Sequence, residues 1–359
     1  MNFNFYLLKS IRILLFPFSL LYGLIVHVRN YMYDKNLIKS YAFNLPVICV
    51  GNLSVGGTGK SPMVEYLIRL LKDKYEIATL SRGYKRRTRG YALANPQTTA
   101  IDIGDEPMQF HAKFPEVAVA VGEERIVAIP QLLHDKPNTQ AIILDDAFQH
   151  RPIRAGLNIL LTDCNNLFTR DFFLPTGDLR DQRTSYKRVQ IIVVTKCPAN
   201  LSETERDKIR KEINPIKGQQ IFFTSIEYGT PYHIITKTER LVTNEDEILL
   251  VCGIANPAPL KNYLTTNAKT YYQQAFSDHH IFTIDDLLAI QNRLEDIQAN
   301  KKMIITTEKD AVRLEKFHNE LIDLPVFVLP VQHKFLFGEG MQFDNSINTF
   351  IQDFLRDSK

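Results

Sequence analysis

Apolar positions along the chain gather into short runs separated by amphipathic stretches. Pro46-Val47-Ile48-Cys49-Val50, closed by Gly51, has the length and continuity of a strand buried on both faces. After a glycine-rich loop, Met63 to Leu71 switches to helical spacing, with Pro62 in the first turn, where a missing N–H costs little. Runs over 76–80, 141–144, 157–161, 189–195, 221–224, 248–252, 303–306 and 326–329 read as further strands, with helical patterns between several of them. This alternation predicts an α/β architecture on a mainly parallel sheet flanked by helices.

Tyr228-Gly229-Thr230-Pro231 breaks the chain, 233–242 alternates like a paired ribbon, and a second α/β unit starts near Ile248. The expected division is an N-terminal apolar segment over 1–35, a core over 36–228, and a smaller C-terminal α/β domain with its linker ribbon over 229–359. In the N-terminal segment, Ile13 to Val26 is almost wholly apolar and is flanked by Lys9, Arg12, His27 and Arg29. The run is shorter than the roughly 20 residues a membrane-spanning helix needs. No small-residue cleavage site follows it. An interfacial helix and a helix buried in the domain both fit, and the basic and aromatic flanks favour the first.

Composition excludes more than it proposes. Forty-three Lys and Arg against forty Asp and Glu leave a net charge of +3, too little to point to a nucleic-acid partner. The four cysteines, Cys49, Cys164, Cys197 and Cys252, are widely separated and form no CxxC pair, so a zinc knuckle is not expected. They read as buried thiols.

The chemistry starts at Ser54-Val55-Gly56-Gly57-Thr58-Gly59-Lys60-Ser61, between a strand and a helix. Glycines there let consecutive N–H groups turn inward on phosphate oxygens, and the helix start adds its positive dipole end. Lys60 supplies a point charge for the β- and γ-phosphates, and the Ser61 hydroxyl suits Mg²⁺. The segment predicts a P-loop NTPase-type core that binds ATP and magnesium, although Ser54 stands where the motif usually begins with glycine.

Asp145 and Asp146 end an apolar strand, where such a core needs an acid for the metal. Neighbouring residues on an extended chain point to opposite sides, so the two are expected to differ in role. In Gly104-Asp105-Glu106-Pro107 the acid reads first as a helix N-cap, with a base for an attacking hydroxyl as the alternative. Asp278-His279-His280 reads as a metal pair, a base relay or a cap, and His111, His134 and His150 are ambiguous singly. Arg82 follows a strand and Arg180 follows a Pro-Thr-Gly-Asp-Leu turn, places apt for bidentate phosphate recognition, while Lys85 to Arg87 reads as a solvated run.

In order along the chain, the basic apolar N-terminus, the loop Gly51 to Pro62, Ser81-Arg82-Gly83-Tyr84, Gly104-Asp105-Glu106-Pro107, Asp145-Asp146-Ala147-Phe148-Gln149-His150, Leu174 to Arg180, Gly253-Ile254-Ala255-Asn256-Pro257, Phe276 to His280 and Thr307 to Val312 resemble the tetraacyldisaccharide 4′-kinases, the lipid A kinases of Gram-negative bacteria. The resemblance covers most of the chain. It implies ATP- and Mg²⁺-dependent phosphorylation of the 4′-hydroxyl of a tetraacylated glucosamine disaccharide 1-phosphate. It also implies a peripheral protein at the cytoplasmic face of the inner membrane. Asp105 then looks like the catalytic aspartate, His279 like its supporting histidine, Asp145 and Asp146 like the metal pair and Arg180 like an active-site arginine. Asp181 stands where the family usually has Glu, which shortens any reach to the metal.

The rival from another class is a GTPase-type switch or metallochaperone. Guanine recognition needs an Asp after Asn/Thr-Lys, and here Thr195-Lys196 continues as Cys197-Pro198. A membrane-tethered binding protein with a vestigial loop is opposed by intact Lys60, Ser61 and Asp146.

Overall fold

A computed structural model describes residues 12–357. Residues 1–11, with Lys9 of the expected N-terminal flank, lie outside the described residues.

Among the described residues, fourteen strands form two sheets. The first is ordered β14-β8-β7-β6-β1-β5-β2-β4-β3. Its members are β1 (Val47–Asn52), β2 (Ile77–Ser81), β3 (Ala92–Leu93), β4 (Ala118–Val121), β5 (Ala141–Asp145), β6 (Leu157–Asp163), β7 (Ile191–Thr195), β8 (Gln220–Tyr228) and β14 (Val331–Phe335). The second is ordered β11-β10-β12-β13-β9 and contains β9 (Tyr232–His233), β10 (Glu247–Cys252), β11 (Thr270–Ala275), β12 (Lys302–Thr307) and β13 (Val326–Leu329). Pairing is parallel except at β3, β9 and β14. The continuous apolar runs of β1, β5 and β7 are buried throughout, as both faces are covered by helices.

The chain division differs from the expected one. The smaller sheet ends at Leu329, and β14 then returns to pair with β8 of the first sheet. The last helix, Gly340–Asp357, buries Phe343, Ile347 and Ile351 against the first sheet's core rather than the second's. Residues 331–357 therefore belong to the larger lobe. The expected ribbon over 233–242 shrinks to the two residues of β9 and one bridge between Tyr232 and Glu239. β11, an edge strand with alternating exposure, carries too many polar positions to read as a core run.

β1 lies between β5 and β6, where the strand order reverses, and the crevice beyond the carboxyl ends of a parallel sheet opens there. The Gly51–Gly59 loop and Asp145-Asp146 share this edge, because Val50 pairs with Asp145 across β1 and β5.

Candidate active site

The P-loop is shaped from outside. Val55 N–H donates to Asp178 O at 2.7 Å, the Thr195 hydroxyl donates to Thr58 O at 2.9 Å, and Asn52 Nδ2 donates to the Thr58 hydroxyl at 3.0 Å. His333 Nε2 lies 2.8 Å from Gly59 O, and its Nδ1 lies 2.9 Å from the Thr224 hydroxyl. With the Thr58 and Gly59 carbonyls occupied, the helix start at Lys60–Leu71 has no side-chain cap, which leaves its first N–H groups available to an anion. Gly59 has φ +84°, and a Cβ there would meet His333 Cε1 at 2.9 Å, so both backbone and packing require glycine. Gly56 and Gly57 border open space. Ser54 bridges to Leu179, so the loop's first position serves as an edge pairing rather than a flexible glycine.

Lys60 Nζ is 3.8 Å from Asp146 and 3.5 Å from Asn52 Oδ1. Burial pulls the Lys60 ammonium's pKa below its ordinary value, against the pull of Asp146. Asp146 has φ 49° and receives both terminal nitrogens of Arg180, one of which also reaches Asn52. Burial pushes the Asp146 carboxyl up, but Lys60 and Arg180 outweigh it and hold it below the usual range. Asp145 is different, as expected for the opposite side of the chain. Its Oδ1 is buried without a hydrogen-bond partner, and burial together with Asp146 raises its pKa to about 7. An orphaned carboxylate oxygen beside a second carboxylate suits a hard divalent cation completed by phosphate and water. No group of three His, Cys, Asp or Glu residues among the described residues makes a protein-only metal cage.

Asp181 has other partners. It is fully buried, and its oxygens accept from Asn30 at 2.7 Å, from the Ser185 hydroxyl at 3.0 Å and from Arg188 at 3.1 Å. Asp181 anchors the N-terminal helix through Asn30, and its three partners compete with the metal contact that the family position implies.

Asp105 is not a helix cap either. Gly104 occupies the N-cap of the helix Asp105–Lys113, and no side chain caps it. The Asp105 carboxylate instead lies 2.7 Å from His279 Nδ1 and receives Arg313 through Nε at 2.9 Å and through a second nitrogen. His279 adopts a left-handed backbone at φ 62°, and the Tyr84 ring stands 5.9 Å from its imidazole. Glu106 ties to Lys309 at 2.6 Å and acts electrostatically on Lys60 and Asp145, which links this corner to the phosphate loop. His280 pairs with Asp286, so His279 is the histidine of the Asp-His-His run that faces Asp105.

Sequence reasoning missed three features. Arg125, 4% exposed, has Nε without a partner and acts on the charges of Asp145, Asp146 and His150. Burial and the cations Arg125, Arg29 and Arg82 push His150 down to about 4. Arg86, expected in a solvated run, buries its side chain against Glu123 at 2.7 Å. No local pattern marks any of these, because each depends on neighbours distant in sequence.

The helix Phe16–Asp34 is turned inside out. Its buried positions include Ser19 and Asn30, while Phe18, Leu20, Leu21, Leu24 and Ile25 are exposed. Ser19 bonds to Thr176 at 2.7 Å and Tyr22 to Arg180 O at 3.0 Å, so the polar face reads the active-site loop.

Comparison with known proteins gives the family. The family described as tetraacyldisaccharide-1-P 4'-kinase matches residues 11–352. The tetraacyldisaccharide 4'-kinase of Flavobacterium johnsoniae is 47% identical over 349 residues, covering 96% of this chain and 99% of that one. That of Bacteroides thetaiotaomicron is 42% identical, covering 96% and 94%. The crystal structure of LpxK from Aquifex aeolicus, in complex with ATP, superimposes with a TM-score of 0.73 at 28% identity over 95% of this chain and 99% of that one. The chain belongs to the tetraacyldisaccharide-1-P 4'-kinase family.

Proposed function

We propose that this chain transfers the γ-phosphoryl group of ATP to the 4′-hydroxyl of a tetraacylated glucosamine disaccharide 1-phosphate. The carrying observation is the Asp105–His279 contact, an acid at a helix start that caps nothing and is met by an imidazole at 2.7 Å. Lys60 and the N–H groups of the loop hold the triphosphate, and Arg180 with Asp146 borders the transferred group. Asp105, oriented by His279, accepts the proton as the sugar oxygen bonds to phosphorus and the bond to ADP breaks. Ser61, Asp145 and Asp146 would hold Mg²⁺, which when bound neutralises phosphate charge. The buried cation Arg125 adds positive potential at the same edge, and His150 beside it is held neutral.

The exposed apolar face of the helix Phe16–Asp34 supports a peripheral seat on the cytoplasmic face of the bacterial inner membrane. Among the described residues, no helix is long and apolar enough to cross a membrane. A helix face this apolar suits acyl chains and the headgroup boundary. The test is phosphate transfer from labelled ATP to the tetraacyl acceptor, with simple sugars and water as controls. Transfer to the acceptor alone is expected, and equal hydrolysis to water would overturn the reading.

A further inference from the structure

Two motifs have no part in the chemistry above: Gly253 to Pro257, and Thr307 to Val312. They lie at the carboxyl ends of β10 and β12, in the smaller lobe. Their side chains and backbone converge on one buried carboxylate. Asp310 Oδ2 accepts the Gly253 N–H at 3.0 Å and the Thr307 hydroxyl at 2.7 Å, while Oδ1 lies 3.3 Å from Arg313. Gly253 is held close, since a Cβ there would meet Ser277 O at 2.8 Å. Arg313 then leaves its own lobe and grips both oxygens of Asp105 in the larger one.

We infer that Arg313 is a positioning residue for the phosphoryl transfer: anchored by Asp310, it fixes the Asp105 carboxylate against His279 and sets the pH above which that carboxylate works. The inference rests on the reading of Asp105 as the base. A two-pronged guanidinium–carboxylate pair is directional, and Arg313 is 9% exposed, so water does not screen it fully. One of its nitrogens also lies 3.1 Å from His279 Nδ1, so the three groups form a closed triangle.

The charged surroundings are few. Arg313 and His279 face the Asp105 carboxylate directly. Asp310 lies behind Arg313, and Asp278 stands 3.8 Å from His279 Nε2. Glu106 is neutralised by Lys309, and the Tyr84 ring closes the imidazole's side. Burial pushes the Asp105 carboxyl up, and Arg313 with His279 more than offsets it, holding it below the ordinary range. Removing the guanidinium therefore raises the pH needed to ionise Asp105.

The experiment compares the pH dependence of kcat/KM in the full-length wild type, Arg313→Gln and Arg313→Lys, with the tetraacyl acceptor and saturating ATP. In Arg313→Gln the acid limb should move up by about one pH unit, with activity partly recovered at alkaline pH. Arg313→Lys keeps the charge and should move the limb much less. Melting temperature and ATP binding monitor folding. A purely structural arginine predicts a profile scaled down with its acid limb unmoved, which would overturn the inference. If Arg313→Gln does not fold, Arg313→Met takes its place: an upward shift of the limb supports the inference and an unmoved limb overturns it. The underlying reading is tested separately. An inactive Asp105→Asn beside an unshifted Arg313→Gln sinks only the arginine's role, whereas a nearly normal Asp105→Asn sinks the base itself.

Discussion

Asp105 and His279 stand 174 residues apart in the chain and 2.7 Å apart in the fold. The acid comes from the larger lobe and the imidazole from the smaller, so the pair exists only when the lobes are packed together. Asp105→Asn should lower turnover by roughly 10²–10⁴-fold, since an amide cannot take the proton. His279→Ala should fall less, and the double variant should lose little more than Asp105→Asn alone. Turnover at saturating ATP for both singles and the double checks this. Fully additive losses would show that the two residues act separately.

Lys60→Ala should remove nearly all transfer while the protein still folds, because the phosphate loop loses its point charge beside Asp146. A rate within about tenfold of wild type, a barrier change near 1.4 kcal/mol, would withdraw the phosphate-loop assignment.

Asp146 and Asp181 should part company in a magnesium titration. Asp146→Asn should raise the Mg²⁺ concentration for half-maximal activity, since an amide is a poorer ligand for a hard cation. Asp181→Ala should leave that titration unchanged and instead lower stability by about 3 kcal/mol, because Arg188 and Asn30 lose a buried partner. A shifted Mg²⁺ requirement in Asp181→Ala would restore its metal role.

His333 links pH to the stability of the loop's brace. Burial lowers its pKa from 6.5 to about 4 in the folded protein. Between those values the unfolded chain binds more protons, so stability present above about pH 6.5 is lost as pH falls, by at most about 1.4 kcal/mol per pH unit. Denaturant unfolding of wild type and His333→Gln should show their difference shrinking from about pH 7 to about pH 4.5. A constant difference would mean that His333 does not stay neutral.

Replacing Leu20 and Leu24 together by Ser should weaken binding to anionic vesicles without lowering the melting temperature, because both side chains already face outward. Unchanged vesicle binding with a lower melting temperature would assign the helix a packing role alone.

Local chemistry wrote much of this protein. The run ending at Val50, the glycines, Lys60 and Ser61 specify a buried strand, a tight loop and a helix start within fifteen residues, and such short-range patterns survive in any context. The same holds for Asp145-Asp146, whose placement at a strand end follows from the apolar run before them. Tertiary structure decided the rest. Whether Asp105 caps a helix or faces a histidine depends on Gly104 taking the cap and on a lobe folded from residues far downstream. In sequence Asp181 offers only a shortened reach to a metal, and the fold shows its oxygens held by Asn30, Ser185 and Arg188. Arg313 carries no local mark at all. The return of residues 331–357 to the first sheet is equally silent, since periodicity shows that a face will be buried without naming the surface that buries it. Backbone propensity and motif spacing act over a few residues, whereas partner choice, burial and charge coupling are settled only when distant segments share a core.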